Sequence, residues 1–244
     1  MITEILTQLG YRASDARQLS QRVWLAWHTE TRCWHCLKFA QSAEHRYGIR
    51  REAHWLQRLH SAAYSRRCAE YLGHYQLGGY EVLITSRVNA QPLSEMLRQD
   101  IEFHPEFRNK LYLSLQQLHR LGICHGDVKP ANILVLDDEP VLVDFASAAE
   151  PGIAVADLPY RSFSPSYSLP ALQRGEGAVD ILHDWYGFMV ILSLVNNRTL
   201  LQPEWSDSET VINTVNILLS DNDGLTTAAR QFLAQQIQRL PDFS

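Results

Sequence analysis

Short runs rich in apolar and aromatic side chains cover residues 23–26 and 33–39, and the polar stretch HTETR between them predicts two strands joined as a hairpin. Residues 50–60 place Ala53, Leu56 and Leu59 three apart with Trp55 beside them, the spacing of an amphipathic helix. Residues 75–77 and 80–84 read as further strands, interrupted at Gly78-Gly79. After Asn89-Ala90-Gln91-Pro92 the period changes. Residues 93–98 and 107–121 carry helical spacing, the second run ended by Gly122. Residues 133–136 and 140–143 predict a second hairpin turning through Asp137-Asp138-Glu139. A Pro- and Ser-rich stretch, 148–169, follows as a long loop. Residues 185–195 read as a buried helix, and 208–219 and 226–240 as final amphipathic ones. The pattern therefore divides into a strand-rich part, 1–85, a connector at 86–91, and a helix-rich part, 92–244, an α+β chain of two lobes with no internal repeat.

Composition narrows the class. At 244 residues the chain has room for one large domain or two modest lobes, and 45% hydrophobic residues with only 12 Gly and 10 Pro exclude a disordered or collagen-like chain. A net charge of -5 argues against a nucleic-acid binder that works by phosphate neutralisation. The longest largely apolar run, 188–195, interrupted only by Ser193, falls far short of the roughly 20 residues needed to cross a bilayer. The opening MITEILTQLG lacks the basic start and cleavage site of a secretory signal. A cytoplasmic protein without membrane insertion is the expectation, with Cys33, Cys36, Cys68 and Cys124 as free thiols. Cys33-x-x-Cys36 has a spacing that can serve zinc or dithiol chemistry, but three positions apart on a strand put the thiols on opposite faces, which favours a structural reading.

The densest polar cluster is His125-Gly126-Asp127-Val128-Lys129-Pro130-Ala131-Asn132, followed by the apolar strand ILVL and then by Val143-Asp144-Phe145. Two carboxylates, an amide and an amine thus stand at the ends of short apolar segments, where a rigid scaffold can hold reacting groups. A hairpin between Asn132 and Asp144 returns its ends toward each other, which suits a divalent cation held against phosphate oxygens. Asp127 is then placed to orient or deprotonate a hydroxyl.

These residues resemble the protein-kinase-like family: HGDVKPAN matches the catalytic-loop pattern H-R-D-L-K-x-x-N, and Asp144-Phe145-Ala146 matches D-F-G. Cys36-Leu37-Lys38 resembles the V-A-I-K strand, and Glu52 the glutamate that pairs with its lysine. Residues 83–88 resemble the last small-lobe strand and hinge, residues 164–171 the end of the activation loop, and Asp184-Trp185-Tyr186-Gly187 the start of the large buried helix. The resemblance, to a bacterial-type Ser/Thr protein kinase with a degenerate Gly-rich loop, runs over residues 16–195. It implies the two-lobed kinase-like fold, a small antiparallel β-sheet lobe with one main helix beside a compact helical lobe.

By resemblance, Lys38 would contact the α- and β-phosphates of ATP and be held by Glu52. Asn132 and Asp144 would bind Mg²⁺, with Mn²⁺ admissible, and Asp127 would serve as catalytic base. Lys129 would offset charge on the transferred group, a lysine usual in Ser/Thr protein kinases and usually missing from the HGD loop of small-molecule phosphotransferases. Thr85 would border the adenine pocket, and the backbone of Ser86 to Val88 would bond the base. His125 and Asp184 would support the catalytic loop. Four motifs depart from the pattern: Ala16, Gln18 and Gln21 stand where the Gly-rich loop has glycines, Gly126 replaces the arginine of H-R-D, Ala146 the glycine of D-F-G, and Ala171 the glutamate of A-P-E. The implied function is ATP- and Mg²⁺-dependent phosphorylation of Ser/Thr hydroxyls, with a protein substrate or regulatory protein as partner. The alternatives are a non-catalytic interaction module and a small-molecule hydroxyl phosphotransferase.

Overall fold

A computed structural model describes residues 1–62, 64, 67–159, 163–196, 208–220 and 224–240. The chain forms two compact units, Met1–Asn89 with Asp144–Ser147, and Ala90–Val143 with Ala148–Ser244.

The first unit opens with helix α1 (Ile2–Gln8) and a five-stranded antiparallel sheet of β1 (Tyr11–Gln18), β2 (Val23–His28), β3 (Cys33–Ala40), β4 (Tyr71–Leu77) and β5 (Tyr80–Ser86), in the order β1-β2-β3-β5-β4. The predicted hairpin is present as β2 and β3, with Val23 opposite Lys38 and His28 opposite Cys33. Strand β1 is an addition. Its register slips between Arg12 and Arg17, so five residues on β1 span the two-residue step from Trp27 to Leu25 on β2. Ile5 and Leu6 of α1 join Tyr11, Ala26, Leu37, Phe39, Val82 and Ile84 in one buried cluster, which gives the sheet an apolar layer on that side.

Helix α2 (Ala43–Ser61) begins seven residues before the apolar spacing becomes visible, because Ser42 caps it by accepting from the His45 amide. It buries Ile49, Glu52, Ala53, Trp55, Leu56 and Leu59. Glu81, on β5 and 1% exposed, is held by Arg50 of the same helix at 2.9 Å and by His74 at 2.8 Å, so the burial of its charge is compensated. Cys33 is exposed and Cys36 half-buried along β3, and burial pushes the Cys36 thiol up.

The second unit holds a three-stranded antiparallel sheet of β6 (Gln91–Pro92), β7 (Ile133–Leu136) and β8 (Glu139–Leu142). Its helices are α3 (Leu93–Arg98), α4 (Glu106–Arg120), α5 (Pro170–Arg174), α6 (Ile181–Asn196), α7 (Ser208–Ser220) and α8 (Thr227–Ile237). Helix α6 is apolar on nearly every face and forms the centre: Trp185 and Phe188 pack against Tyr112 of α4 and Phe188 is fully buried. It starts at Ile181 rather than at 185 because the Asp180 carboxylate accepts from the Leu182 amide. The last helix ends at Ile237, short of 240, and Arg239 beyond it pairs with Asp180 at 2.7 Å. Among its described residues the 148–169 stretch contains two single-turn 3₁₀ segments, Val155–Asp157 and Pro165–Tyr167. Gly187 lets α6 approach the loop before β7, since a Cβ there would strike the carbonyl oxygen of Val128.

Candidate functional site

In the first unit, Lys38 lies on β3 between Val23 and Leu83. Its Nζ donates to Glu52 Oε1 and Oε2 at 2.8 and 2.7 Å and to Asp144 Oδ1 at 2.9 Å. Glu52 is 3% exposed, so this ammonium is what makes its burial tolerable. Burial alone would lower the lysine pKa, but Asp144 and Glu52 outweigh it and the group is held charged well above its ordinary value. The Phe145 amide donates to Glu52, and Phe145 is fully buried. Arg51 of α2 also reaches the Ser147 carbonyl at 3.3 Å. The short 3₁₀ turn Phe145–Ser147 is thereby fastened to α2, and Asp144 sits at its entrance with φ of 67°.

The hinge residues fall at the end of β5. Thr85 pairs with Cys36 and Tyr71. The Ser86 amide donates to the Glu70 carbonyl and its hydroxyl accepts from the Glu70 amide, both at 2.9 Å, so the Ser86 N–H is committed. Val88 follows half-buried, with no backbone hydrogen bond to any described residue. At the β1–β2 turn, Ala16 and Gln18 lie in β1, and the Leu19 and Ser20 amides both donate to the Val23 carbonyl. Gln18 closes the turn further by donating to the Gln21 carbonyl at 3.3 Å.

In the second unit the HGDVKPAN loop is built around two buried aspartates. Asp184, 1% exposed at the start of α6, accepts from the His125 amide at 2.7 Å, the Gly126 amide at 2.8 Å and His119 Nε2 at 2.9 Å. Gly126 has φ of 78°, a conformation that costs glycine little, and this turn aims its amide at Asp184. His125 Nδ1 accepts from the Asp127 amide, which leaves Nε2 to donate to the Val143 carbonyl at 3.1 Å. His125 is thereby a fully buried brace for the loop.

Asp127, 5% exposed, is the meeting point. Its Oδ2 accepts from Lys129 Nζ at 2.6 Å and Asn132 Nδ2 at 3.1 Å, and its Oδ1 accepts from the Ser164 hydroxyl at 3.1 Å. Lys129 also donates to Ser164 Oγ at 2.8 Å. Asn132 donates again to the Asp127 carbonyl, so its amide nitrogen is spent and its Oδ1 accepts from no described residue. The β7–β8 hairpin closes with the Val143 amide donating to the Asn132 carbonyl, one residue before Asp144. Asn132 Oδ1 in this unit and, in the first unit, the Asp144 carboxylate, whose side chain is 44% exposed, are each by their own chemistry hard oxygen donors of the type Mg²⁺ takes.

Sequence reasoning missed Ser164 and His119. A serine in a Pro- and Ser-rich loop carries no signal of a partner 37 positions away. His119 lies on a helix whose apolar spacing hides it.

Asp184 carries a measurable consequence. Burial pushes its carboxyl up, but the bonds from His119 and the Gly126 amide, with His125 nearby, outweigh this and hold it below the ordinary carboxylate value. A depressed folded pKa gives stability that is complete above about pH 4 and is lost as pH falls through the folded value. Asp184→Asn leaves one amide N–H facing another donor, at a cost of about 1–3 kcal/mol. Thermal unfolding should show that deficit at pH 7 and a smaller one near pH 3; an equal deficit at both would contradict the assignment.

Comparison with known proteins follows the same residues. The sequence is 33% identical over 122 residues to the serine/threonine-protein kinase chk-2 of Caenorhabditis elegans, covering 48% of this chain and 23% of that protein. It is 29% identical over 145 residues to Citron Rho-interacting kinase of Mus musculus, covering 56% of this chain and 7% of that protein. It is 27% identical over 180 residues to the serine/threonine-protein kinase mrck-1 of Caenorhabditis elegans, covering 65% and 10%. The chain thus spans less than a quarter of the length of these relatives. A crystal structure of a kinase domain superposes with a TM-score of 0.62 at 17% identity, covering 92% of this chain and 82% of that one, which shows a shared fold. The protein kinase domain family itself matches residues 20–240, so the chain belongs to the protein kinase domain family.

Proposed function

We propose that this domain transfers the γ-phosphoryl group of ATP, with Mg²⁺, to Ser/Thr hydroxyls of a protein substrate. The observation that carries the reading is the Asp127 constellation: a buried carboxylate that already accepts a hydroxyl on Oδ1, with an ammonium bonded to both partners. A carboxylate so placed orients an acceptor hydroxyl and takes its proton, while Lys129 offsets charge on the oxygens that receive the group. The phosphoryl bond to the leaving oxygen breaks as the bond to the acceptor oxygen forms.

Lys38, held charged by Glu52 and Asp144, is the group for the α- and β-phosphates. Asn132 and Asp144 would hold Mg²⁺, which when bound neutralises charge on the phosphate oxygens. Thr85 would border the base and the backbone of Ser86 to Val88 would bond it, without the Ser86 amide, which is committed to Glu70. Lys129 favours a protein acceptor over a small-molecule one.

A second reading, a non-catalytic interaction module, draws on one observation: the β1–β2 turn spends the Leu19 and Ser20 amides on Val23. Amides so used cannot cradle phosphate. Incubation with γ-labelled ATP, Mg²⁺ and a soluble extract separates the readings. Label on protein bands is expected; label confined to small molecules, or none, would contradict protein phosphorylation.

Ser164 is a positioning residue in this scheme. Ser164→Ala removes one hydrogen bond from Asp127 and one from Lys129, and should lower kcat about tenfold with KM for ATP unchanged. Ser164→Thr, which keeps the hydroxyl, should restore it. Equal loss in both variants would show that steric fit, and not the hydroxyl, matters at this position.

A further inference from the structure

At the start of β1 the first unit holds a cluster of titratable rings that the phosphate chemistry does not use. Tyr11 of β1, His28 of β2 and His35 of β3 pack ring against ring. The two imidazoles stack with centroids 5.4 Å apart and planes 20° from parallel, and Tyr11 meets them edge-on at 4.9 and 5.7 Å. Tyr11 is 5% exposed and His35 8%. The Tyr11 hydroxyl has His35 Nδ1, 2.9 Å away, as its one hydrogen-bond partner among the described residues, so its O–H donates there. His28 Nδ1 accepts from the Thr31 amide at 3.2 Å. Each imidazole thus uses Nδ1 as an acceptor, a role that only the neutral ring can fill. The same rings close the junction between α1 and β1. The Gly10 carbonyl accepts from the Thr29 amide at 3.0 Å and from the Thr29 hydroxyl at 2.8 Å, and Gly10 lies so near His28 that a Cβ would stand 3.1 Å from its Nε2. Tyr11 pairs with His28 and Arg12 with Trp27, after which the pairing lapses until Arg17. The junction is therefore fastened separately from the rest of β1.

We propose that Tyr11, His28 and His35 form a proton-sensitive clasp: uptake of a proton by His35 opens the α1–β1 junction as far as Arg12, while β2 and β3 stay paired. A protonated His35 turns a second donor toward the Tyr11 hydroxyl, brings a cation into a site with little access to water, and sets it against the stacked His28 ring. Opening hydrates the cation and relieves all three. The surrounding groups do not offset this. Burial and His28 hold the His35 pKa below its ordinary value, outweighing the Glu70 carboxylate ahead of β4. Burial and Tyr75 of β4 keep the Tyr11 hydroxyl protonated. Helix α1 brings only Glu4, which pairs with the amino terminus, and on β1 Arg12 pairs with Asp15. On β3 Cys33 is exposed and Cys36 half-buried; at the end of β5 Ser86 stands opposite His35, and Arg87 bonds Asn89. A freed imidazole titrates near its ordinary value of about 6.5, so the closed junction is at full strength above that pH and weakens as pH falls through it toward the lower closed-state value. The clasp stands whether or not the domain transfers phosphate.

The test is amide hydrogen exchange of the full chain, followed residue by residue by NMR from about pH 7.5 to about pH 5.5 and corrected for the intrinsic exchange rate at each pH. The Thr29 amide, bonded to the Gly10 carbonyl, reports the junction, and the amide of Leu37, fully buried on β3, reports the sheet. Protection of Thr29 should fall about fivefold or more over this range, and that of Leu37 should hold steady. His35→Phe keeps a buried ring without a titratable nitrogen and should make Thr29 protection independent of pH, whatever its level. Because that change leaves the Tyr11 hydroxyl without an acceptor, the double variant Tyr11→Phe with His35→Phe gives the same reading with no orphaned group. His28→Phe keeps the stack and drops its charge, so the response should shrink or move to lower pH. Thr29 protection that is flat in the unsubstituted chain, a response that survives His35→Phe or stays unchanged in His28→Phe, or a parallel fall at Leu37, which would mean opening of the whole sheet, overturns the proposal.

Discussion

Asp127→Asn should cut phosphoryl transfer by about 10²–10⁴-fold while leaving the domain folded. The substitution keeps the shape of the side chain. With its oxygen turned to Lys129 and Asn132 and its amide turned to Ser164, each of the three side-chain hydrogen bonds at Asp127 can be remade, Ser164 changing from donor to acceptor. What disappears is the negative charge that accepts a proton and balances Lys129. The melting temperature should therefore move little, because the lost ion pair sits in a loop where Lys129 is 23% exposed and can turn to water. A variant that unfolds would place Asp127 among the structural supports; a folded variant with undiminished transfer would remove it from the chemistry. Circular dichroism beside a labelled-ATP assay reads both.

Lys38→Met should combine loss of transfer with a large loss of stability, about 3 kcal/mol or more, because it strips the cation from a carboxylate that is 3% exposed. Asp144, the other partner, is far more exposed and its charge passes to solvent at little cost. The penalty thus belongs to Glu52. For a chain of this size the melting temperature should fall by about 6–12 °C. Glu52→Gln in the same chain should return most of it, since the orphaned charge is then gone, and the double-mutant cycle should show strong coupling. Additive losses would mean that Lys38 stabilises the unit through packing of its stem and not through Glu52.

Much of this was legible along the chain, for reasons that differ by element. The β2–β3 hairpin shows because its apolar and aromatic runs flank a polar turn. Helix α6 shows because it is apolar throughout. Strand β1, with the sequence YRASDARQ, buries only Tyr11 fully, so nothing in its pattern marks it as a strand; its pairing with β2 supplies the reason. Helix α1 has seven residues, too few for a period to register, and is held by packing Ile5 and Leu6 on the sheet. The start of α2 was hidden because its first turn is polar and its signal is a cap at Ser42. At the site, Asp127, Lys129 and Asn132 are legible because they share one loop, and Asp144 because a recognisable motif carries it. Ser164, His119 and the commitment of the Ser86 amide to Glu70 are products of the fold, set by partners 16 to 65 residues away that no local pattern encodes.

The central claim, that this kinase-family domain moves phosphate, is tested most directly by the rate of label transfer from γ-labelled ATP to protein for the unsubstituted chain, Asp127→Asn and Asp144→Asn, each with Mg²⁺ and with chelator. Both aspartates and the free cation should be required, and the folded variants should fall to background. Transfer that persists in either variant, or none in the unsubstituted chain with folded protein and acceptor present, would contradict the account.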